Sequence, residues 1–293
     1  MTQDEIRTTR RTPRGRVEFR AVPGFRGAEE LVDECLRWDV RRSGVWRTIA
    51  GEELALKGGP LASRGVRRHG LRRALLAAPA PCEAERRNLE WLSKRLFRCA
   101  EPVASVTLRR RGAPVQQLLA TRWVAGADPF DDAWQRAADP ERRALAEEVG
   151  REVGRMHALR FLHGDLYPRN ALVTQRADDG GPGHGRRIVW IDAWAAGPTA
   201  WRRGAPYRVE RDLGAWFSEA ADWMDRAQQD QLLTAYADAR AANGRPIPNL
   251  DTFLQRIRSA RRAELAKLER EPRRLRGRPF PIAGWDPNVD LDR

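Results

Sequence analysis

The sequence predicts an α+β fold in two parts, a small strand-rich N-terminal lobe followed by a larger helical C-terminal lobe. Three observations carry this expectation. Short apolar runs bounded by Gly and Pro recur before residue 125, and stretches with helical apolar spacing dominate after residue 139. Between them, Gly126-Ala-Asp-Pro129 breaks the chain. A chain of 293 residues has room for about two lobes, and 41% hydrophobic residues suffice to bury a sizeable core.

Residues 1–16 are polar and arginine-rich and read as a disordered basic tail, so the N-terminal lobe spans 17–125. Leu31, Cys35, Leu36 and Trp38 mark the apolar side of a helix over Glu29–Val40. Val45–Ile49 and Leu54–Lys57 flank Gly51 and predict a hairpin, whose second strand Gly58-Gly59-Pro60 should stop. Residues 60–81 are basic and weakly patterned, a loop with a short helix at Val66–Leu76. Cys82–Phe97 is an amphipathic helix with Leu89, Trp91, Leu92, Leu96 and Phe97 on its apolar side. Glu85 precedes Leu89 by four residues and Leu92 by seven, which turns it inward. Strands at Val103–Arg109 and Val115–Val124 complete the lobe.

In the C-terminal lobe, 126–270, an N-cap at Asp139 followed by Pro140 starts a helix carrying Leu145, Val149, Val153, Met156 and Leu159. Short strands at Ala171–Val173 and Arg187–Ile191 flank a turn at Gly180–Gly185. Helices follow from Glu210, over 228–242 and over 251–270, and the proline- and arginine-rich residues 271–293 read as a tail.

The net charge of +14 is compatible with nucleic acid, an anionic membrane surface or phosphate-rich substrates, and equally with a solvated basic surface. Basic residues are not interleaved with aromatics, so no specific nucleic-acid binding is expected. Three cysteines with no close pair argue against a disulfide framework or a zinc site. The N-terminus lacks the apolar centre of a signal peptide, and no run approaches the ~18 apolar residues of a membrane helix. The expectation is a cytoplasmic protein, with room for peripheral contact at the anionic inner face of the cytoplasmic membrane.

Chemistry concentrates in Phe161–Val173, where His163, Asp165 and Asn170 have the spacing H-x-D-x-x-x-x-N. Phosphoryl transfer needs a carboxylate to receive a hydroxyl proton and an amide oxygen to help hold magnesium, and such a loop supplies both. Asp192 leaves an apolar strand and is placed to hold a divalent metal. Lys57 is one of only three lysines, with Lys94 and Lys267, in a chain where arginine fills nearly every basic role. That favours a phosphate for Lys57, which a compact ammonium holds as a point charge, over a snorkelling edge lysine. An inward Glu85 is costly unless paired, and Lys57 is its natural partner, with Glu83 placed to complement the helix dipole. His163 has no second histidine at ligand spacing and reads as structural. Asp212 either buttresses the loop through backbone amides or is an ordinary early-helix acid. Arg202, Arg203 and Arg208 are candidates to face an anionic acceptor.

Lys57, Glu85, the Asp165…Asn170 loop, Asp192 and Arg211-Asp212-Leu213 follow the order of the protein-kinase-like superfamily. The segments His163-Gly-Asp-Leu-Tyr-Pro-Arg-Asn-Ala-Leu-Val173, Ile191-Asp-Ala193 and Glu85-Arg-Arg-Asn-Leu-Glu-Trp-Leu92 narrow this. With them, residues 45–240 resemble the bacterial lipopolysaccharide core kinase family of heptose and 3-deoxy-manno-octulosonic acid kinases. The resemblance implies a two-lobed kinase-like fold, with 17–125 binding nucleotide and 126–270 catalytic and acceptor-binding. It implies ATP as donor and Mg2+ as metal, Asp165 as catalytic base, Asn170 and Asp192 as metal ligands, and Lys57 with Glu85 gripping the α/β-phosphates.

Gly164 stands where protein kinases usually carry arginine, and no G-x-G-x-x-G loop precedes Lys57. Ala193-Trp194 replaces Phe-Gly after Asp192, and no Ala-Pro-Glu motif follows. Gly164, Tyr167 and the short segment after Asp192 point away from a peptide acceptor; the resemblance implies a sugar or glycolipid such as lipopolysaccharide core, and the arginines around Arg202, Arg203 and Arg208 suit an anionic one. The alternatives are a protein kinase or small-molecule phosphotransferase of the same fold, or a nucleotide-binding pseudokinase.

Overall fold

Six antiparallel strands form the frame of the first of two compact units, residues 1–125. The computed structural model describes residues 6–76, 79–174, 187–198 and 208–270. The sheet comprises β1 (Ile6–Thr12), β2 (Gly15–Ala21), β3 (Arg42–Ile49), β4 (Glu52–Pro60), β5 (Pro102–Arg110) and β6 (Ala113–Arg122), in the order β1-β2-β5-β6-β4-β3. Helix α1 (Ala28–Arg37) precedes β3, while α2 (Ser63–Leu76) and α3 (Pro81–Ser93) lie between β4 and β5. The two-residue period of the strands sends Val17, Phe19, Val106, Leu108, Leu54 and Leu56 into one apolar core with Leu31 and Cys35 of α1. Alternate positions Arg20, Ser105 and Lys57 instead meet acidic residues of α3.

Several local expectations change here. Residues 6–16, read as part of a disordered tail, include strand β1 and the start of β2, paired from Ile6↔Ala21 to Thr12↔Gly15. Six of the seven β1 residues are exposed, so backbone pairing and three threonines hold the strand, with no apolar pattern to reveal it. Gly58 and Gly59 do not stop β4, which runs on to Pro60↔Gln116. Added Cβ atoms would lie 2.1 Å from the Gln117 carbonyl oxygen and 2.6 Å from that of Val40, so these glycines let the strand pass between close backbones. Helix α1 ends at Arg37, short of Val40, and α3 ends at Ser93, short of Phe97. Leu96, expected on the apolar side, takes φ 60° in the following turn and is exposed, while Phe97 is buried. The expected turn at Gly51 is present: Ala50 and Gly51 both have positive φ, as a two-residue loop of this kind requires, and of the two only Gly51 takes it freely.

The second unit, residues 126–293, is mainly helical. Its elements are β7 (Ala127–Pro129), α4 (Phe130–Arg136), α5 (Asp139–Ala158), β8 (Phe161–Leu162), β9 (Ala171–Thr174), β10 (Ile188–Trp190), β11 (Gly197–Pro198), α6 (Val209–Ala220), α7 (Arg226–Ala242) and α8 (Leu250–Arg270). Ala138, rather than the expected Asp139, is the N-cap of α5, and Pro140 sits in the first turn where its missing N–H costs nothing. Close helix crossings rest on small residues. Added Cβ atoms at Gly150 and Gly154 of α5 would meet carbonyl oxygens of α7 at 2.2 Å and 2.5 Å, and one at Gly214 of α6 would meet Ala260 of α8 at 2.7 Å. The turn expected at Gly180–Gly185, Arg202 and Arg203, residues 1–5 and the tail 271–293 lie outside the described residues.

Candidate active site

In the first unit, β4 carries Lys57 and α3 carries Glu85, and Lys57 Nζ donates to Glu85 Oε2 at 2.7 Å. The side chains are 14% and 4% exposed, so the pair is largely withdrawn from water. Such a pair gains little net stability, but removing one partner strands the other charge at a cost of about 3–5 kcal/mol. Leu89 and Leu92, on the same side of α3, are buried and press Glu85 towards the sheet. The backbone N–H of Cys82 also donates to Gln117 Oε1 on β6 at 2.9 Å, anchoring the first turn of the helix.

Glu83 does more than the expected dipole pairing. It is 7% exposed and accepts from Arg86 at 3.1 Å and 3.2 Å, Arg87 at 2.9 Å and Ser105 at 3.2 Å, with Arg20 of β2 at 3.3 Å. Burial alone would raise its carboxyl; the arginines, Arg86 foremost, outweigh this and hold it below the usual carboxylate range. Two acids on one helix therefore fix α3 to three strands. The i+3 and i+4 arginines were a visible signal; the bonds to Arg20 and Ser105 were not.

In the second unit, α5 ends at Ala158, Arg160 takes φ 59°, and β8 leads into the loop. Asp212 of α6 accepts backbone N–H bonds from His163 at 2.7 Å and Gly164 at 3.0 Å, with His157 Nε2 at 3.3 Å. It buttresses the loop through amides, as one of the two sequence readings had it. Burial would raise its carboxyl, but the hydrogen bond and charge of His157, aided by His163, lower it instead. Gly164 has φ 75°, a conformation that glycine adopts without strain.

His163 is fully buried, and its Nε2 lies 3.1 Å from the Ile191 carbonyl oxygen. A carbonyl only accepts, so Nε2 carries the proton. Burial lowers the imidazole pKa despite the charges of Asp212, Asp165 and Asp192. His163 thus serves as a neutral strut from the loop to the residue before Asp192.

Asp165 is half-buried and Asn170 fully so. Asn170 Nδ2 donates to the Asp165 carbonyl at 2.7 Å and to Asp165 Oδ2 at 3.2 Å, which fixes the amide orientation. Its Oδ1 is buried with no hydrogen-bond partner. A buried amide oxygen without a donor is costly, and a hard cation is one group that would satisfy it. The Ile191 N–H donates to the Asn170 carbonyl at 3.0 Å, so the chain entering Asp192 is tied to the loop. Asp192 takes φ 61°, a left-handed position that Asp tolerates better than most residues, and is half-buried. Among the described residues no group of three or more His, Cys, Asp or Glu is gathered for a metal. An amide oxygen and a carboxylate are hard oxygen donors of the kind that magnesium takes.

Two further contacts escaped the sequence reading. Tyr167 donates to Glu264 of α8, and Arg169 pairs with Glu219 of α6 while its guanidinium lies 3.8 Å from the Tyr167 ring centroid. Burial and Glu264 push the Tyr167 phenol pKa up, so it stays a donor. Nothing in the local pattern signals partners this distant in sequence. Arg208, a candidate for an acceptor contact, is exposed at the start of α6.

The fold is protein-kinase-like. A solved structure titled glucosamine kinase (crystal form B) aligns with 90% of this chain and 86% of its own, at TM-score 0.50 and 15% identity. One titled WaaP in complex with acyl carrier protein aligns with 84% and 91%, at TM-score 0.48 and 20% identity. No curated protein sequence matches. The fold and the matched stretch of sequence together define the class, a kinase. More particularly, residues 61–194 match the family described as the Lipopolysaccharide kinase (Kdo/WaaP) family. Glu85, Asp165, Asn170 and Asp192 fall inside the matched stretch, Lys57 just before it and Asp212 beyond it.

Proposed function

We propose that the chain transfers the γ-phosphoryl group of ATP to a hydroxyl of a sugar or glycolipid, such as lipopolysaccharide core, with Mg2+ as the metal. The observation that carries this reading is the Asp165–Asn170 pair. One amide group is held by Asp165 so that its oxygen stays unpartnered, beside a carboxylate that is half-exposed. Asn170 Oδ1 and Asp192 would hold the metal, which supplies positive charge against the phosphates. Asp165 orients the acceptor hydroxyl and receives its proton as the new P–O bond forms and the bond from the γ-phosphorus to the bridging oxygen breaks, with ADP as the leaving group. Lys57, held straight by Glu85, grips the α/β-phosphates as a point charge.

Neutral His163 and ionised Asp212 keep the loop in one geometry without adding charge at the proton acceptor. The acceptor is read as anionic because the net charge of +14 suits a phosphorylated or acidic sugar better than a cationic aminoglycoside. Among the described residues no helix is long and apolar enough to cross a membrane. The reading is a cytoplasmic enzyme whose basic surface allows peripheral contact with an anionic leaflet. Calorimetry with ATP, with and without magnesium, tests the nucleotide reading, and no binding of Mg·ATP at millimolar concentration would refute it. A panel of labelled-ATP transfers to sugar, glycolipid, aminoglycoside and peptide acceptors then tests the acceptor class.

A further inference from the structure

At one end of the six-stranded sheet, the β1–β2 and β5–β6 turns line an open cavity of about 500 Å³. Arg14, Arg16, Arg109, Arg110 and Arg111 line it, with Glu18 as its one acidic residue. Strand register explains the crowding. Arg11 of β1 lies directly opposite Arg16 of β2, which lies directly opposite Arg109 of β5. Like charges directly opposite on neighbouring strands destabilise a sheet, yet this row sets three cations side by side.

The guanidinium groups are also fixed in place. Arg109 is 5% exposed and donates to Glu18 Oε2 at 2.7 Å and to the Gly112 carbonyl at 3.3 Å. Arg14 donates to the Leu36 carbonyl at 2.6 Å, and Arg110 donates to the Arg14 carbonyl at 2.8 Å. Bonds to carbonyls orient Arg14 and Arg110 without cancelling their charge, whereas Arg109 and Arg16 share the single carboxylate of Glu18, with Arg16 Nε 3.8 Å from its Oε1. A smaller cavity of about 60 Å³ shares Glu18 and Arg109, but there Glu83 pairs with Arg20 and Arg87, so the arginine excess belongs to the larger cavity.

We propose that this cavity is a binding site for phosphate-type oxyanions, separate from the Lys57–Glu85 pair. Guanidinium forks match phosphate oxygens bidentately, and an anion seated among five arginines adds negative charge where Glu18 alone offsets them. The volume is in the range of small-ligand pockets and accommodates a phosphorylated sugar or a lipid headgroup phosphate. This inference does not depend on the catalytic reading, because none of these arginines belongs to the proposed transfer machinery.

The test titrates tripolyphosphate into the full chain by calorimetry and, separately, co-sediments the chain with phosphatidic acid/phosphatidylcholine vesicles. Arg110→Ala/Arg111→Ala, two exposed positions at the end of β5 and in the turn after it, is compared with the natural chain, and Arg16→Gln serves as a second variant. The expected result is a loss of affinity of at least about tenfold in one or both arms, with an unchanged melting temperature. Loss in the tripolyphosphate arm supports the site and assigns a soluble phosphate ligand; loss confined to the vesicle arm supports it and assigns a headgroup. Equal affinity of natural chain and variants in both arms, or no binding of either probe at millimolar concentration, overturns the proposal. Either outcome leaves turnover at Asp165 as a separate question.

Discussion

Replacing Asp212 by alanine removes the acceptor for two backbone donors, the buried His163 N–H and the half-buried Gly164 N–H, at 2.7 Å and 3.0 Å. Each unsatisfied buried donor costs about 1–3 kcal/mol, so the two together predict a loss of about 4 kcal/mol. Asp212→Asn keeps one side-chain oxygen and should lose about 2 kcal/mol. Urea unfolding followed by circular dichroism measures both, and turnover measures whether the loop still holds Asp165. The pH dependence has a definite sign. The folded Asp212 carboxyl is depressed below its ordinary value of 3.8, so its contribution is complete above that value and is lost as pH falls through the folded pKa. The stability gap between the natural chain and Asp212→Asn should therefore be flat near neutral pH and shrink on acidification below about pH 4. A loss under about 1 kcal/mol for Asp212→Ala, with turnover intact, would refute the role of Asp212 as the loop's buttress.

Lys57→Met strands Glu85, whose side chain is 4% exposed, and should cost about 3–5 kcal/mol in chemical denaturation. It should also weaken nucleotide binding at least tenfold by calorimetry; natural affinity in this variant would remove Lys57 from the phosphate grip. Gly150→Ala forces a Cβ to within 2.2 Å of the Leu232 carbonyl oxygen, so a thermal scan should show a loss of about 3 kcal/mol or more. An unchanged melting temperature there would contradict the close crossing of α5 and α7. Burial pushes the thiols of Cys35 and Cys99 up to about 12 and that of Cys82 higher still. At pH 8, iodoacetamide should label the denatured chain and leave the native one largely unmodified, whereas rapid native labelling would show exposed thiolate.

Much of the candidate site was legible because its signals are local. The inward turn of Glu85 followed from its spacing to Leu89 and Leu92, and the Lys57 pairing followed from the cost of burying that acid. Asp165 and Asn170 sit in one short loop, so their presence together followed from five-residue spacing, while the hydrogen bond between them did not. Contacts without local periodicity stayed hidden. Strand β1 is exposed along nearly its whole length and is held by pairing to β2, which leaves no alternation to detect. Gly58 and Gly59 resemble a strand stop unless the approach of Gln117 and Val40 is known. The Tyr167–Glu264 and Arg169–Glu219 contacts join residues far apart in sequence, and such pairs appear only when helices have packed.

The central claim is that Asp165 receives the acceptor's proton. The most direct test is steady-state transfer from labelled ATP to lipopolysaccharide core sugars by the natural chain and Asp165→Asn, at matched Mg·ATP occupancy. The account predicts that Asp165→Asn folds and binds Mg·ATP normally while kcat falls by about 100-fold or more. Transfer by Asp165→Asn at the natural rate would contradict it.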